Sequence, residues 1–147
     1  MTITLRDITR DNWHQCTRLK VAPDQEHFVA SNAVSMAQSK YEPEYIPLAV
    51  YDEEEMVGFV MYGKDRTDGK YWIARVMVDH RQQGKGHGRA AMQLLLDRIG
   101  ALPDCDEILI SYEPENEVAR RLYASLGFRE TGEIAEGEAV ARLSFAR

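Results

Sequence analysis

The chain has 147 residues, a length suited to one domain with a single core. Hydrophobic residues make up 44% and charged residues 29%, the balance of a soluble protein, and a net charge of −6 argues against a nucleic-acid partner. That acidity is compatible with a cationic substrate, although on its own it selects none. No apolar run approaches the roughly 20 residues of a membrane span, and residues 1–7 lack the basic-then-apolar layout of a secretion signal. Cys16 and Cys105 have neither metal-ligand spacing nor a disulfide framework around them, so a cytoplasmic protein without a metal is expected.

Residues 2–5 alternate in polarity and read as a first strand. Asp11 or Asn12 can cap a helix carrying Trp13, Cys16, Leu19 and Lys20. Pro23 interrupts it, and a second helix is expected over residues 25–39, with Phe28, Val29, Ala33 and Met36 on its inner side. Residues 46–51 and 56–62 read as an antiparallel hairpin closed by the acidic turn Asp52, Glu53, Glu54, Glu55. A polar turn then leads into Tyr71–Val78, rich in the β-branched and aromatic residues that suit a buried strand. Beyond a glycine loop, Ala91, Met92, Leu95, Ile99 and Leu102 share one helical face. Pro103 and Asp104 break the chain, and Glu107–Tyr112 is a short buried strand, so the unit is strand, helix, parallel strand. A last helix carries Val118, Ala119, Leu122 and Leu126 and stops at Gly127. Residues 128–134 and 139–145 finish as an antiparallel hairpin. The expected fold is α/β with a mixed sheet, about seven strands and four helices, and no domain boundary.

The loop between strand and central helix carries the chemistry. It contains Gln83, Gly84, Lys85, Gly86, His87, Gly88 and Arg89. Glycine at alternate positions lets the backbone turn tightly and aim several N–H groups at one ligand. The first turn of the helix adds unpaired N–H groups and the positive end of its dipole, and Lys85 and Arg89 add fixed charge, which together make a phosphate site. The string is neither a P-loop, which needs Gly-x-x-x-x-Gly-Lys-Ser/Thr, nor the dinucleotide fingerprint Gly-x-Gly-x-x-Gly.

It does fit Gln/Arg-x-x-Gly-x-Gly, and in that it resembles the pyrophosphate loop of the GCN5-related N-acetyltransferases. Asn116, Ala119, Leu122, Tyr123, Gly127 and Phe128 resemble the second hallmark of the same family, Asn-x-x-Ala-x-x-Leu-Tyr-x-x-x-Gly-Phe. The resemblance extends over nearly the whole chain and is closest to the bacterial spermine/spermidine acetyltransferases. It implies an acetyl-CoA N-acyltransferase fold in which the two parallel strands splay and admit the pantetheine arm. It also implies acetyl transfer by direct attack of a primary amine in a ternary complex, and a homodimer. By the same resemblance, residues Gln83 to Arg89 hold the diphosphate, while Val76, Met77 and Val78 bond the acetyl carbonyl and pantetheine through their backbone. Asn116 contacts the coenzyme arm or caps its helix, or both, and Tyr123 is the acid that protonates the leaving thiolate. As side chains alone, the three strand residues and Tyr123 read as core.

An amine resembling lysine has a pKa near 10.4, so removing its proton at pH 7 costs about 4 to 5 kcal/mol. Polyamine enzymes of the family often carry Asp or Glu where this chain has Ala74, followed by Arg75, so the proton acceptor is unassigned. Glu26 and Glu113 are candidates, directly or through water, although each also reads as a solvated surface charge; a water chain without a single base is the alternative. Trp72 can line an alkyl pocket or pack in the core. His80 and His87 share a loop but lack a third metal ligand. The leading acceptor is a polyamine; the alternatives are another small amine, such as an amino acid or aminoglycoside, and a sensor that binds acyl-CoA without turnover.

Overall fold

The computed structural model describes residues 1–145. Seven strands form one sheet in the order β1-β2-β3-β4-β5-β7-β6. They are β1 (Ile3–Asp7), β2 (Tyr45–Asp52), β3 (Glu55–Lys64), β4 (Tyr71–Val78), β5 (Glu107–Tyr112), β6 (Arg129–Ala135) and β7 (Glu138–Ser144). Every neighbouring pair is antiparallel except β4 and β5, which the crossover through α3 (His87–Gly100) makes parallel, as the strand-helix-strand pattern requires. β3 is buried without a break from Met56 to Gly63, because both sheet faces are covered. Val57, Val60 and Tyr62 face the core under α3 and α4 (Glu117–Ser125), whereas Met56, Phe59 and Met61 face α1 (Trp13–Arg18) and α2 (Asn32–Tyr41).

The expected apolar face of α3 holds: Met92, Leu95 and Ile99 have no exposed surface, each contributing about 1.5–3 kcal/mol of burial. The second helix differs from its expectation. Residues 23–28 form a 3₁₀ turn begun by Pro23, Val29 is extended, and α2 starts only after Ser31, whose side chain accepts from Val34 N at 3.2 Å. The buried positions on α2 are polar: Asn32 donates to Cys16 O at 3.0 Å, and the Ser35 hydroxyl to Ser31 O at 3.0 Å. Ala33, expected inside, is exposed. Val118, expected on the apolar stripe of α4, is 75% exposed, and Trp13 is 50% exposed. Among the described residues, no helix is long and apolar enough to cross a membrane.

Two irregularities interrupt the ladders on either side of β4. Its pairing with β5 covers only Tyr71, Trp72 and Ile73, opposite Ile108, Leu109 and Ile110, so the strands part beyond Ile73 although both continue. On its other edge, Met61 pairs with Arg75 and Tyr62 with Ile73, which leaves Ala74 as an extra residue bulged out of the ladder. The splay implied by the family resemblance is therefore present.

Candidate active site

The gap between β4 and β5 opens into a cleft of about 810 Å³ that runs through the sheet. Its size is that of a site burying a small-molecule ligand. Val76, Met77 and Val78 line one wall, beyond the last β4–β5 pair, so their backbone groups on that edge have lost a partner strand. Two carbonyls of β4 are met by side chains instead. Arg75 Nη1 donates to Ala74 O at 2.8 Å, and Gln83 Nε2 donates to Val78 O at 3.0 Å and to Gln25 Oε1 at 2.9 Å. Gln83 thus ties the end of β4 to the loop beyond it.

That loop forms one end of the cleft, with Gly84, Gly86, His87 and Gly88 lining it. Gly84 and Gly86 have φ of +81° and +85°, a region that costs an L-residue about 1–2 kcal/mol. The turn at Gly86 starts α3 without a side-chain cap. Among the described residues, the N–H groups of Gly86, His87, Gly88 and Arg89 have no acceptor; the first to find one is Ala90, which donates to Gly86 O at 3.1 Å. Four free N–H groups at the positive end of a helix make an anion site, and a ligand with phosphate groups fits this donor set. A Cβ built on Gly84 would meet nothing within 4 Å, so the loop is open where an anion would rest.

The side chains of the loop divide between surface and interior. Lys85 is exposed and donates to Gln82 Oε1 at 3.0 Å, and Arg89 is exposed and donates to Ser125 Oγ at 2.6 Å. His87 turns inward, 3% exposed, with Nδ1 3.2 Å from Gln82 O and Nε2 3.1 Å from Asp52 Oδ2. The hydrogen bond with His87, and then that from Thr2 N–H, hold the Asp52 carboxyl below its usual range. Gln82 also donates to Glu55 Oε1 at 2.6 Å, so the acidic β2–β3 turn braces the loop at two points. Beneath it lies Asp79, 1% exposed, which accepts from Lys20 N and Arg81 Nε, both at 2.9 Å. Burial alone would raise this carboxyl; the Lys20 and Arg81 hydrogen bonds outweigh it and hold the pKa low. Two of these contacts are not legible in sequence, because His87 lies 35 residues from Asp52 and Lys20 lies 59 from Asp79; only the Asp79–Arg81 pair is local.

Tyr123 lines the cleft from α4, packed 5.5 Å from the Tyr112 ring and 6.1 Å from Phe128. Its hydroxyl has no hydrogen-bond partner among the described residues. Burial first, then Tyr112 and Glu138, push its phenol well above the ordinary value, so it keeps its proton through the neutral range. Asn116 is the helix cap of α4, its Oδ1 accepting from Ala119 N at 3.2 Å, and it also lines the cleft. Arg75 and Ser111 line the cleft near the point where the strands part, before the loop is reached; His27, Phe28, Glu136 and Glu138 line it too, and this group is the candidate acceptor mouth. Arg75 Nη2 donates to Gln38 Oε1 at 3.0 Å, and Ser111 Oγ to Glu138 Oε1 at 2.8 Å. Glu136 and Glu138 were invisible as site residues in the sequence, because only the β5–β7 pairing brings them to the cleft.

Five sequence candidates do not line the cleft: Lys85 and Arg89, exposed on the loop, and the three acceptor-side candidates. Glu26 is exposed on the 3₁₀ turn. Trp72 is half-buried, with Nε1 donating to Asp68 Oδ2 at 2.9 Å in the β3–β4 turn. Glu113 is half-buried in the segment after β5.

Comparison with known proteins identifies the family and the fold. The chain is 33% identical over 140 residues to a spermine/spermidine N(1)-acetyltransferase of Bacillus subtilis, covering 91% of this chain and 92% of the relative. In structure it resembles a spermidine N-acetyltransferase from Vibrio cholerae in complex with CoA and spermine (TM-score 0.74, 20% identity, 95% of this chain and 92% of the other). It also resembles an aminoglycoside acetyltransferase in complex with coenzyme A (TM-score 0.80, 18% identity, 97% and 95%). The model of the acetyltransferase (GNAT) family matches residues 5–128. With the splayed strands, the uncapped glycine loop and this match over most of its length, the chain belongs to the GNAT family of acetyltransferases.

Proposed function

We propose that this acetyltransferase transfers the acetyl group of acetyl-CoA to a primary amine of a polyamine such as spermidine or spermine. The observation that carries the reading is the continuity of the cleft: one lining includes both the loop that carries free backbone N–H groups and the carboxylates Glu136 and Glu138. The N–H groups after Gln83 take the coenzyme diphosphate, with Lys85 and Arg89 at the rim. The pantetheine arm lies in the gap past Ile73, where the unpaired edge at Val76, Met77 and Val78 bonds it, and Asn116 flanks it. Tyr123 donates its proton to the departing thiolate. A polycation is drawn toward the carboxylates of the acceptor mouth. The B. subtilis relative, named for the same acceptors, supports this choice.

Arg75 favours a second reading. A guanidinium at the acceptor mouth repels a second ammonium, and suits an amine that also carries a carboxylate or hydroxyl acceptor. Thiol release from acetyl-CoA, measured against a panel of polyamines, amino acids and aminoglycosides, separates the two. The polyamine reading expects the highest kcat/KM with spermidine or spermine. A preference for amino acids or aminoglycosides refutes it, and coenzyme binding without turnover on any amine marks a sensor. A cytoplasmic location goes with this reading: Cys16 is a buried free thiol, as a reducing compartment maintains. Sedimentation tests the homodimer that the resemblance implies.

A further inference from the structure

We infer that Glu138 is the general base of acetyl transfer, the group that takes the ammonium proton of the acceptor amine. The inference rests on the amine-acetylation reading above and supplies the proton acceptor that Ala74 does not provide. Four side chains at the acceptor mouth carry or can carry charge: His27, Arg75, Glu136 and Glu138. Arg75 is a guanidinium, which carries donors and no acceptor, and it is held by Ala74 O and Gln38. Glu136 stands exposed at the tip of the β6–β7 turn, and His27 is exposed on the 3₁₀ turn. Glu138 alone of the four is an anchored, half-buried carboxylate: Oε1 accepts from Ser111 Oγ at 2.8 Å, which leaves Oε2 for a substrate proton.

Its position is set by the sheet. Ser111 directly follows Ile110, the last β5 residue paired with β4, so it stands at the point where the strands part and the thioester must lie. Tyr112 and Ala139 are register partners that face the core containing Tyr123. Ser111 and Glu138, one residue away on each strand, therefore point to the opposite face. Glu138 is near enough for its charge to help raise the Tyr123 phenol. Base and acid thus flank one gap, the base on the acceptor side and the acid on the coenzyme side.

The step balances without another reactant. The ammonium N–H breaks and its proton goes to Glu138 Oε2. The amine lone pair forms the N–C bond to the acetyl carbon, and collapse of the tetrahedral species breaks the C–S bond. The thiolate takes the Tyr123 proton, the nitrogen's surplus proton returns to Tyr123, and Glu138 releases its own to solvent.

Glu138→Gln keeps an oxygen to accept the Ser111 bond but cannot take a proton. Coenzyme affinity, by calorimetry with CoA, should stay within about twofold of wild type. At pH 7.5, kcat/KM for spermidine should fall at least about a hundredfold, the range of a lost general base. That deficit should shrink toward about pH 9.5, as the free amine becomes common without help. A loss constant across pH signals anchoring or structural damage and overturns the inference, as does activity within threefold of wild type at pH 7.5. Loss in His27→Gln while Glu138→Gln stays active also overturns it. A wild-type protein inactive on every amine overturns the acetylation reading and the inference together; an active one matched by the variant overturns the inference alone.

Discussion

Replacing Tyr123 with Phe isolates one atom of the proposed mechanism. The ring keeps its contacts with Tyr112 at 5.5 Å and Phe128 at 6.1 Å. The lost hydroxyl has no partner among the described residues, so nothing is left unpaired when it goes. Stability should therefore change by no more than about 0.5 kcal/mol, a Tm shift of roughly 2 °C or less. Catalysis should respond very differently. A general acid contributes about 10²–10⁴ in rate, and with the coenzyme still bound the variant should lose about 10²–10³ in kcat, or roughly 2.7–4 kcal/mol of barrier. KM for acetyl-CoA should hardly move. The loss should also depend on the leaving group: an acetyl thioester of a more acidic thiol needs less protonation and should recover part of the rate. Steady-state thiol release with both thioesters, beside a thermal melt, makes the comparison. A kcat within threefold of wild type refutes the role of Tyr123, and a Tm fall above about 5 °C shows that the variant reports on packing instead.

Three further substitutions probe the scaffold. Gly86→Ala places a Cβ at φ +85° with only Met1 Cε near it, at 3.9 Å, so its cost is conformational, about 1–2 kcal/mol or a Tm fall of about 2–8 °C. Gly69→Ala at φ +70° should cost the same, yet calorimetry should show CoA binding weakened about tenfold or more only by the Gly86 change. Asp79→Asn sets an amide between two donors, Lys20 N and Arg81 Nε, and should lose about 1–3 kcal/mol by urea denaturation at pH 7. Because the folded carboxyl has a lowered pKa, its stabilisation is complete above the unfolded value near 3.9 and fades as pH falls through the folded one. The gap between wild type and variant should therefore begin to narrow only below about pH 4 and keep narrowing as pH falls through the folded pKa; a gap that stays constant as pH is lowered through this range contradicts the assignment.

How much of the fold and the site was legible in the sequence varies with the range of the interaction. The strand-loop-helix unit at Tyr71–Val78 and α3 was readable, because alternation, glycine spacing and helical periodicity are local signals. The break at residues 29–31 was not, although Ser31 was there to cap α2. Apolar periodicity does not mark this helix, because its buried positions Asn32 and Ser35 are polar and satisfied by Cys16 O and Ser31 O. The bulge at Ala74 depends on register with β3, which no single strand encodes. The carboxylates of the acceptor mouth were hidden for a similar reason: Glu138 lies 27 residues from Ser111, and only the sheet order β5-β7-β6 brings them together. His87 stands out as a loop residue, but its burial against Asp52 arises from a contact 35 residues distant.

All of these roles depend on one placement, the coenzyme diphosphate on the free N–H groups of the loop. A crystal structure of the protein with CoA measures it directly. The diphosphate oxygens should lie within about 3 Å of backbone nitrogens among residues 84–89, with the pantetheine thiol near the Tyr123 hydroxyl. A diphosphate bound elsewhere on the molecule, with those nitrogens facing only water, contradicts the account.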